Sequence, residues 1–398
     1  MNGQLVVSIV TILIVLPLLL GGCAYLILLE RKISAWIQDR IGPNRTGLSF
    51  GILPIKSRML GLGQPLADGL KLLFKEEYTP LGVDRPLFVL APVAVVIPAL
   101  VAWAVVPWGG LLRVGQSIFT TAAAPLPIGV VYILATGSLA VYGVVLGGFA
   151  SNNKYAFFGS LRATAQMLSY EIPMGLCVLI IVLMSGSASA DDLVHDQANG
   201  VWNLWVQPVL AIIFLTCVLA ECNRAPFDLA EAEQELIGGY HTEYASMKWG
   251  LFFLAEYMHM IIGSAFLTIL FLGGWDLPMH QPLVGGISLV LLKAAVFAAK
   301  IILLLSLMMV IRWTLPRFRF DQLMQLAWRG LIPMAVGVLL VAAVVRFYDL
   351  RPWWHLAGNV GLVLIVLAVP RPRSGNRPVR LAGSRFSPLL TDADHSDA

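Results

Sequence analysis

Residues 220–245, AECNRAPFDLAEAEQELIGGYHTEYA, hold six carboxylates, Glu221, Asp228, Glu231, Glu233, Glu235 and Glu243, against the single arginine Arg224. If the segment is helical, Asp228, Glu231 and Glu235 share one face at i, i+3 and i+7 while Glu233 points elsewhere, and like charges so close repel. The same stretch interleaves apolar and aromatic residues, in APFDL and ELIGGYHTEYA, that favour burial. A partly buried acidic cluster has raised, coupled pKa values and changes its proton load when a neighbour changes charge. A charged docking face is the competing reading, and the residues alone leave both open. Among the ionisable residues in apolar runs or at their ends are Glu171, Glu221, Glu256, and the pair Lys293 and Lys300, which share a helix face at i and i+7. A charge at mid-bilayer costs roughly 2.5–3.5 kcal/mol on insertion scales, so such side chains face a bundle interior or a wet cavity. Desolvation brings the proton affinities of carboxylates and amines closer together, the condition for handing a proton on. Structural ion pairing and snorkelling are the plain alternatives.

The elements that must position these groups follow from composition. Hydrophobic residues make up 58% of the chain and charged ones 13%, with a mean hydropathy of +0.80. That balance, with several apolar runs near the ~20 residues a membrane helix needs, predicts an all-α polytopic membrane protein and argues against a soluble two-domain enzyme. Nine spans are expected, at 5–29, 86–108, 127–150, 166–186, 205–221, 249–273, 283–311, 330–346 and 353–370. The first has no Lys or Arg before it and exceeds the length of a signal-peptide core, so it is expected to remain as a membrane helix. Of the 27 Lys and Arg, 22 fall in loops 30–85, 151–165, 222–248 and 312–329 or in the tail after 370. The bias of positive charge toward the cytoplasm then puts these segments inside and the N-terminus outside, and a ninth span keeps the five tail arginines inside. Residues 1–370 are expected to form one transmembrane domain, and 371–398, rich in Pro, Arg, Gly and Ser, a disordered cytoplasmic tail. In loop 30–85, QPLADGLKLLFKEE (64–77) puts Leu66, Leu70, Leu73 and Phe74 on one helical side and Asp68, Lys71 and Lys75 elsewhere. That pattern suits an amphipathic helix lying on the membrane, the rim of an opening for a lipid-soluble ligand, and equally a helix packed on a partner subunit.

Cofactor patterns are lacking. Cys23, Cys177, Cys217 and Cys222 form no CxxC pair and no cluster spacing, so buried inert thiols are expected. Glu256-Tyr-Met-His259 matches the ExxH of di-iron bundles, but those need two copies on facing helices. With no P-loop or Rossmann glycine pattern either, the chemistry left is proton handling, ligand binding or conformational coupling. No internal repeat is clear enough to argue an inverted-repeat transporter.

Five segments, ERKISAWIQDRIGPNRTG, QPLADGLKLLFKE, GGFASNNKYAFFGSLRATAQMLSYEIPMGL, ECNRAPFDLAEAEQELIGGYHTEYASMKWGLFFLAEY and TLPRFRFDQLMQLAW, run in order from the first span to the eighth. In sequence and order they resemble the H subunit of proton-pumping NADH:quinone oxidoreductase, respiratory complex I, the membrane subunit that holds the quinone chamber. The resemblance implies an eight-helix family core, here with one C-terminal helix added, in a bacterial plasma membrane. It implies that Glu171, Glu221 and Glu256 lie on an intramembrane glutamate path, that Glu231, Glu233 and Glu235 face the quinone cavity, and that Arg31 and Asp68 line the chamber near its entrance. Arg224 and Asp228, in the same acidic loop, are grouped with the chamber, and Lys293 and Lys300 with the proton path. Quinone is implied as substrate, with no metal or covalent cofactor on this chain and no nucleic-acid partner. FMN and iron–sulfur clusters are implied on partner subunits of the peripheral arm, B, C/D and I, with membrane subunits A, J and K as neighbours alongside lipid. One departure is the segment LSFGILPIKSRMLGLG (48–63), longer than the usual link and beside the implied portal. Two rivals remain: the related membrane subunit of an energy-converting hydrogenase complex, and a free-standing proton or ion transporter.

Overall fold

The computed structural model describes residues 2–44, 61–228, 239–276 and 284–368. Glu231, Glu233 and Glu235, most of the 48–63 segment and the tail after 370 lie outside them. Among the described residues, seven helices are long and apolar enough to span a membrane, and two shorter apolar helices, Pro208–Glu221 and Trp353–Val366, fall where the fifth and ninth spans are expected. The chain is an all-α polytopic membrane protein. Its contacts form one compact unit, Met1–Leu362, followed by Val363–Ala398, of which only the end of the last helix is described.

The helices are α1 (Asn2–Ile37), α2 (Gln64–Phe74), α3 (Arg85–Val101), α4 (Gly129–Ala150), α5 (Lys154–Ser185), α6 (Ala190–Asn199), α7 (Asn203–Val206), α8 (Pro208–Glu221), α9 (Ser246–Phe271), α10 (Ile287–Thr314), α11 (Phe320–Gln325), α12 (Ile332–Phe347) and α13 (Trp353–Ala368). A π-helical segment, Leu326–Leu331, joins α11 to α12 as one span, Phe320–Phe347. Helix α5 begins twelve residues before the expected span at 166, because nothing in 154–165 breaks a helix and the Asn153 side chain accepts a hydrogen bond from Tyr155 N at 2.9 Å as its N-cap. The link expected over 151–165 therefore shrinks to a turn. Helix α5 ends at Gly186, whose φ of +79° is the left-handed conformation a helix C-cap uses, its N–H donating to Val182 O.

Helix α9 is the axis of the molecule. Every residue from Ala255 to Phe271 is buried, and α1, α3, α8 and α10 pack around it. A helix apolar on all sides belongs in such a core. Helix α1, by contrast, leaves Leu5, Leu13 and Leu18 exposed, as a lipid-facing helix does. Close packing between α3 and α4 depends on Gly143: a Cβ there would lie 2.8 Å from Val95 N and 3.0 Å from Ala91 O. Small residues at helix contacts let backbones approach where lipid supplies no hydrophobic drive to associate.

One end of the bundle carries a small sheet absent from the all-helical expectation. Strand β1 (Leu111–Val114) pairs antiparallel with β2 (Ser117–Thr120) across Gly115 and Gln116, and parallel with β3 (Val284–Gly285). Gly115, at φ +63°, makes the tight turn possible. The Gln4 side chain donates to Thr120 O at 3.1 Å and fastens the start of α1 to this hairpin.

Candidate proton-handling site and cleft

At the end of the bundle away from the hairpin, four parts of the chain bring ionisable groups together. Helix α1 supplies Glu30, the turn after α8 supplies Arg224, the turn 239–241 supplies His241, and α9 supplies Glu256 and Tyr257. Arg224 is only 2% exposed, and its Nη1 lies 3.7 Å from Glu30 Oε1 while Nη2 lies 3.4 Å from Glu256 Oε2. Its guanidinium also stacks over Tyr257, 4.5 Å from the ring centre, and the Tyr257 hydroxyl donates to Glu30 Oε2 at 2.5 Å. Arg312, near the end of α10, closes the cluster with an ion pair to Glu30. Buried charges persist only when paired in this way, and removing one partner is costly.

His241 Nε2 is 3.8 Å from Glu256 Oε1. Burial, and then the charge of Arg224, push the His241 imidazole down to about 3, so at neutral pH it carries no charge and its contact with Glu256 is not an ion pair.

The turn holding Arg224 is set by Gln166 of α5, which is fully buried. Its Nε2 donates to Ala220 O at 2.7 Å, to Phe227 O at 2.7 Å and to Asn223 Oδ1 at 3.3 Å, joining the end of α8 to the loop that follows. Asp228, 1% exposed, is met by Arg317 Nη2 at 3.1 Å.

Glu171 and Glu221 converge on neighbouring residues of α4. Ser138 Oγ donates to Glu171 Oε1, and a Cβ on Gly137 would sit 2.9 Å from Glu221 Oε1. Two carboxylates, from α5 and α8, are thus drawn to one turn of a third helix, close enough for their charges to repel. Lys293 and Lys300 lie elsewhere, at the hairpin end. Lys293 Nζ stands 4.1 Å over the Trp275 ring, and Lys300 Nζ donates to the carbonyls of Leu272, Gly274 and Asp276 just beyond α9. Ending a helix in three carbonyls aimed at one ammonium satisfies orphan acceptors and a buried cation together.

Beside the inner charge cluster a cleft of about 440 Å³ opens between α1, α2 and the start of α9. Arg31 and Asp68 pair across it at 2.8 Å, with Lys71, Lys75, Trp249 and Phe253 also on its wall. Helix α2 turns Asp68 and Leu72 toward the protein and leaves Leu66, Leu70, Leu73 and Phe74 exposed. Its far end is tied to α9 by the Ser246 hydroxyl, which donates to Leu72 O at 2.8 Å and Lys75 O at 3.0 Å.

Sequence comparison joins this geometry to known proteins. The family profile described as NADH dehydrogenase matches residues 9–343. The chain belongs to that family. An NADH-quinone oxidoreductase H subunit of Cytophaga hutchinsonii is 46% identical over 321 residues, covering 80% of this chain and 91% of that protein. The H subunit of the NADH-quinone oxidoreductase of Leptospira biflexa is 43% identical over 348 residues, covering 85% and 94%. An H subunit of the same name from Geobacter metallireducens is 45% identical over 318 residues, covering 80% and 90%. The NADH dehydrogenase match runs through α1 to most of α12, so every residue of the inner cluster and of the cleft lies within it, and α13 follows it.

Within this family member, several groups that build the site escape a reading by type and spacing. Glu30 and Arg312 look like ordinary charges at the ends of apolar runs, and Gln166 like any polar residue in a helix. Their importance appears only when the helices pack. The one local signal was burial: Glu30 and Arg312 adjoin runs that must cross lipid, so each needed a partner. The cysteines are free and buried within the main hydrophobic core.

Proposed function

We propose that this chain is the quinone-chamber subunit of a proton-translocating NADH:quinone oxidoreductase, and that it couples quinone reduction to proton movement. The observation that carries this reading is the continuity from cleft to buried acid: the cleft of Arg31 and Asp68 and the Arg224–Glu256 cluster both draw on the first turns of α9. The cluster in turn adjoins Glu221 through the short turn that Gln166 holds.

The cleft suits a quinone by its chemistry. Trp249, Phe253 and Ile27 present apolar surface to a ring and tail, while Arg31, Lys71 and Lys75 offer donors to quinone oxygens. The exposed apolar side of α2 lies in lipid, where a hydrophobic substrate is already dissolved. Electrons come from NADH through the FMN and iron–sulfur clusters of peripheral-arm subunits B, C/D and I, and subunits A, J and K flank this one in a bacterial plasma membrane. In this topology the hairpin end faces outward and the Glu30–Arg224 end faces the cytoplasm, in keeping with the excess of Lys and Arg there.

In this chain the work is electrostatic. Reducing the quinone takes up protons and alters the charge beside Arg224 and the acidic loop that includes Glu231, Glu233 and Glu235. Arg224 stands between Glu30 and Glu256, so a new charge in the chamber shifts which carboxylate it favours. Glu256, Glu221 and Glu171 pass the disturbance into the membrane toward the antiporter-like subunits. Glu221→Gln keeps the shape of the side chain and removes its titration. Quinone reductase and pumping rates in that variant are expected to fall together, with the complex assembled and its NADH–ferricyanide reaction intact. Full coupled activity would overturn the reading.

A further inference from the structure

Where α3, α4, α5, α8 and α9 meet, they line a partly open cavity of about 20 Å³. Most of its wall is apolar, with Pro98, Met174, Val218 and Phe266 among the lining residues, but two ionisable side chains also face it, Glu221 and His259. His259 is 8% exposed, and its Nε2 has no hydrogen-bond partner in the protein. It sits one turn beyond Glu256 on α9, yet the two serve different surroundings, Glu256 facing Arg224 and His241 and His259 facing Glu221 across the cavity.

A buried imidazole nitrogen left without a partner is destabilising whichever tautomer it adopts, because it has lost its hydrogen bonds to water. A space of this size holds one water molecule, and a water needs polar partners to stay there. Glu221 and His259 supply them.

We propose that the cavity holds a water bridging the Glu221 carboxyl to His259 Nε2, and that His259 is a proton-relay residue following Glu221. This rests on the proton-coupling role given to Glu221 above. In the transfer, protonated Glu221 gives its proton to the water oxygen as the water releases one of its own to neutral His259. The products are a Glu221 carboxylate, an imidazolium and an unchanged water, and the reverse transfer resets the pair. Glu171, drawn to Ser138 beside Gly137, is the other acid near the Glu221 side of the cavity, and its charge acts on the pair from there. This adds a histidine step in the middle of the bundle, on the helix that runs on toward the lysine cluster at the hairpin end.

The test uses the assembled complex in membranes with three variants, beside Glu221→Gln as the reference. Gly137→Ala puts a methyl group 2.9 Å from Glu221 Oε1 and into the cavity, so it displaces the carboxylate and the water while removing no titratable group. His259→Gln keeps a hydrogen-bonding side chain that cannot carry the proton, and His259→Leu removes both. Proton translocation driven by NADH and quinone is expected to fall about tenfold or more in all three, a loss of the size a misplaced or missing proton-transfer group produces. The NADH–ferricyanide rate should be unchanged, and a high-resolution map should show water in the wild type and the Gln variant only. A carboxyl infrared band assigned by its loss in Glu221→Gln should shift in His259→Gln, which a merely structural histidine would not cause. Wild-type pumping in His259→Gln, with Glu221→Gln impaired, overturns the histidine relay and leaves the quinone-coupling role standing. Wild-type pumping in Glu221→Gln overturns both. If the Leu variant fails to assemble, the Gln and Gly137→Ala variants decide.

Discussion

At the scale of single residues, burial decides which charges this site keeps. Glu30, Arg224 and Glu256 are each at most 7% exposed and remain near opposite charge, whereas His241, beside the same arginine, gives up its proton. The pH dependence follows from the direction of that shift. The folded-state value of about 3 lies below the usual 6.5, so between those values the unfolded chain binds a proton that the folded chain does not. Stability therefore rises with pH through that window, is fully present above about 6.5, and is lost as the medium becomes acid. At pH 5 the loss from this one histidine is about 2 kcal/mol. Replacing His241 by Phe should make the melting temperature of the complex less sensitive to acidification from pH 7 to 5, and an unaltered pH dependence would show that His241 is not buried neutral. The gap between Glu221 and His259 is the same contest in another form, a polar atom that requires either a proton partner or a water.

At the scale of elements, α2 performs two tasks with two faces. Asp68 and Leu72 meet the protein, and Ser246 anchors the C-terminal carbonyls, so the helix is held without burying its leucines. The side with Leu66, Leu70, Leu73 and Phe74 stays uncovered, and Phe74 is 85% exposed. Moving a phenylalanine out of the membrane forfeits about 1.5–3 kcal/mol of transfer energy, and a charge adds to the loss. Phe74→Glu should thus loosen the rim of the cleft and raise KM several-fold for a long-tailed quinone delivered from the bilayer, with kcat kept. A short, water-soluble quinone analogue should show little change. Equal effects on both quinones, or none on either, would mean that α2 is not the way in. The helix was legible in the sequence because its amphipathic period of 3.6 is local. The β1–β2 hairpin was not, since a few strand residues between membrane helices give too little alternation to stand out, and its third strand arrives from residues 284–285, far along the chain.

For the molecule as a whole, the Arg224 cluster fastens α1, α9, α10 and the loop between α8 and α9 at one point. Removing one member of a buried ionic group costs about 3–5 kcal/mol, because its partners remain charged and uncompensated. Arg224→Leu is expected to lower the thermal stability of the subunit by that amount, and adding Glu256→Gln should recover much of it, since Arg312 still neutralises Glu30. Melting curves of the complex carrying the single and double variants check this, and a single variant as stable as the wild type would show the cluster to be solvated. The sequence by itself determined the class of fold and the elements: apolar runs long enough for the bilayer, the amphipathic helix, and the ionisable residues that a membrane would force into the interior. Those properties depend on composition and short period, which each stretch of chain carries alone. Only the tertiary structure decided the partners: that Arg224 lies between Glu30 and Glu256, that Gln166 holds its turn, that Glu171 and Glu221 meet on α4, and that the two lysines belong to the opposite end. Such pairings join residues up to 282 positions apart, as Glu30 and Arg312 are, and no local pattern encodes which helix face meets which until the helices pack.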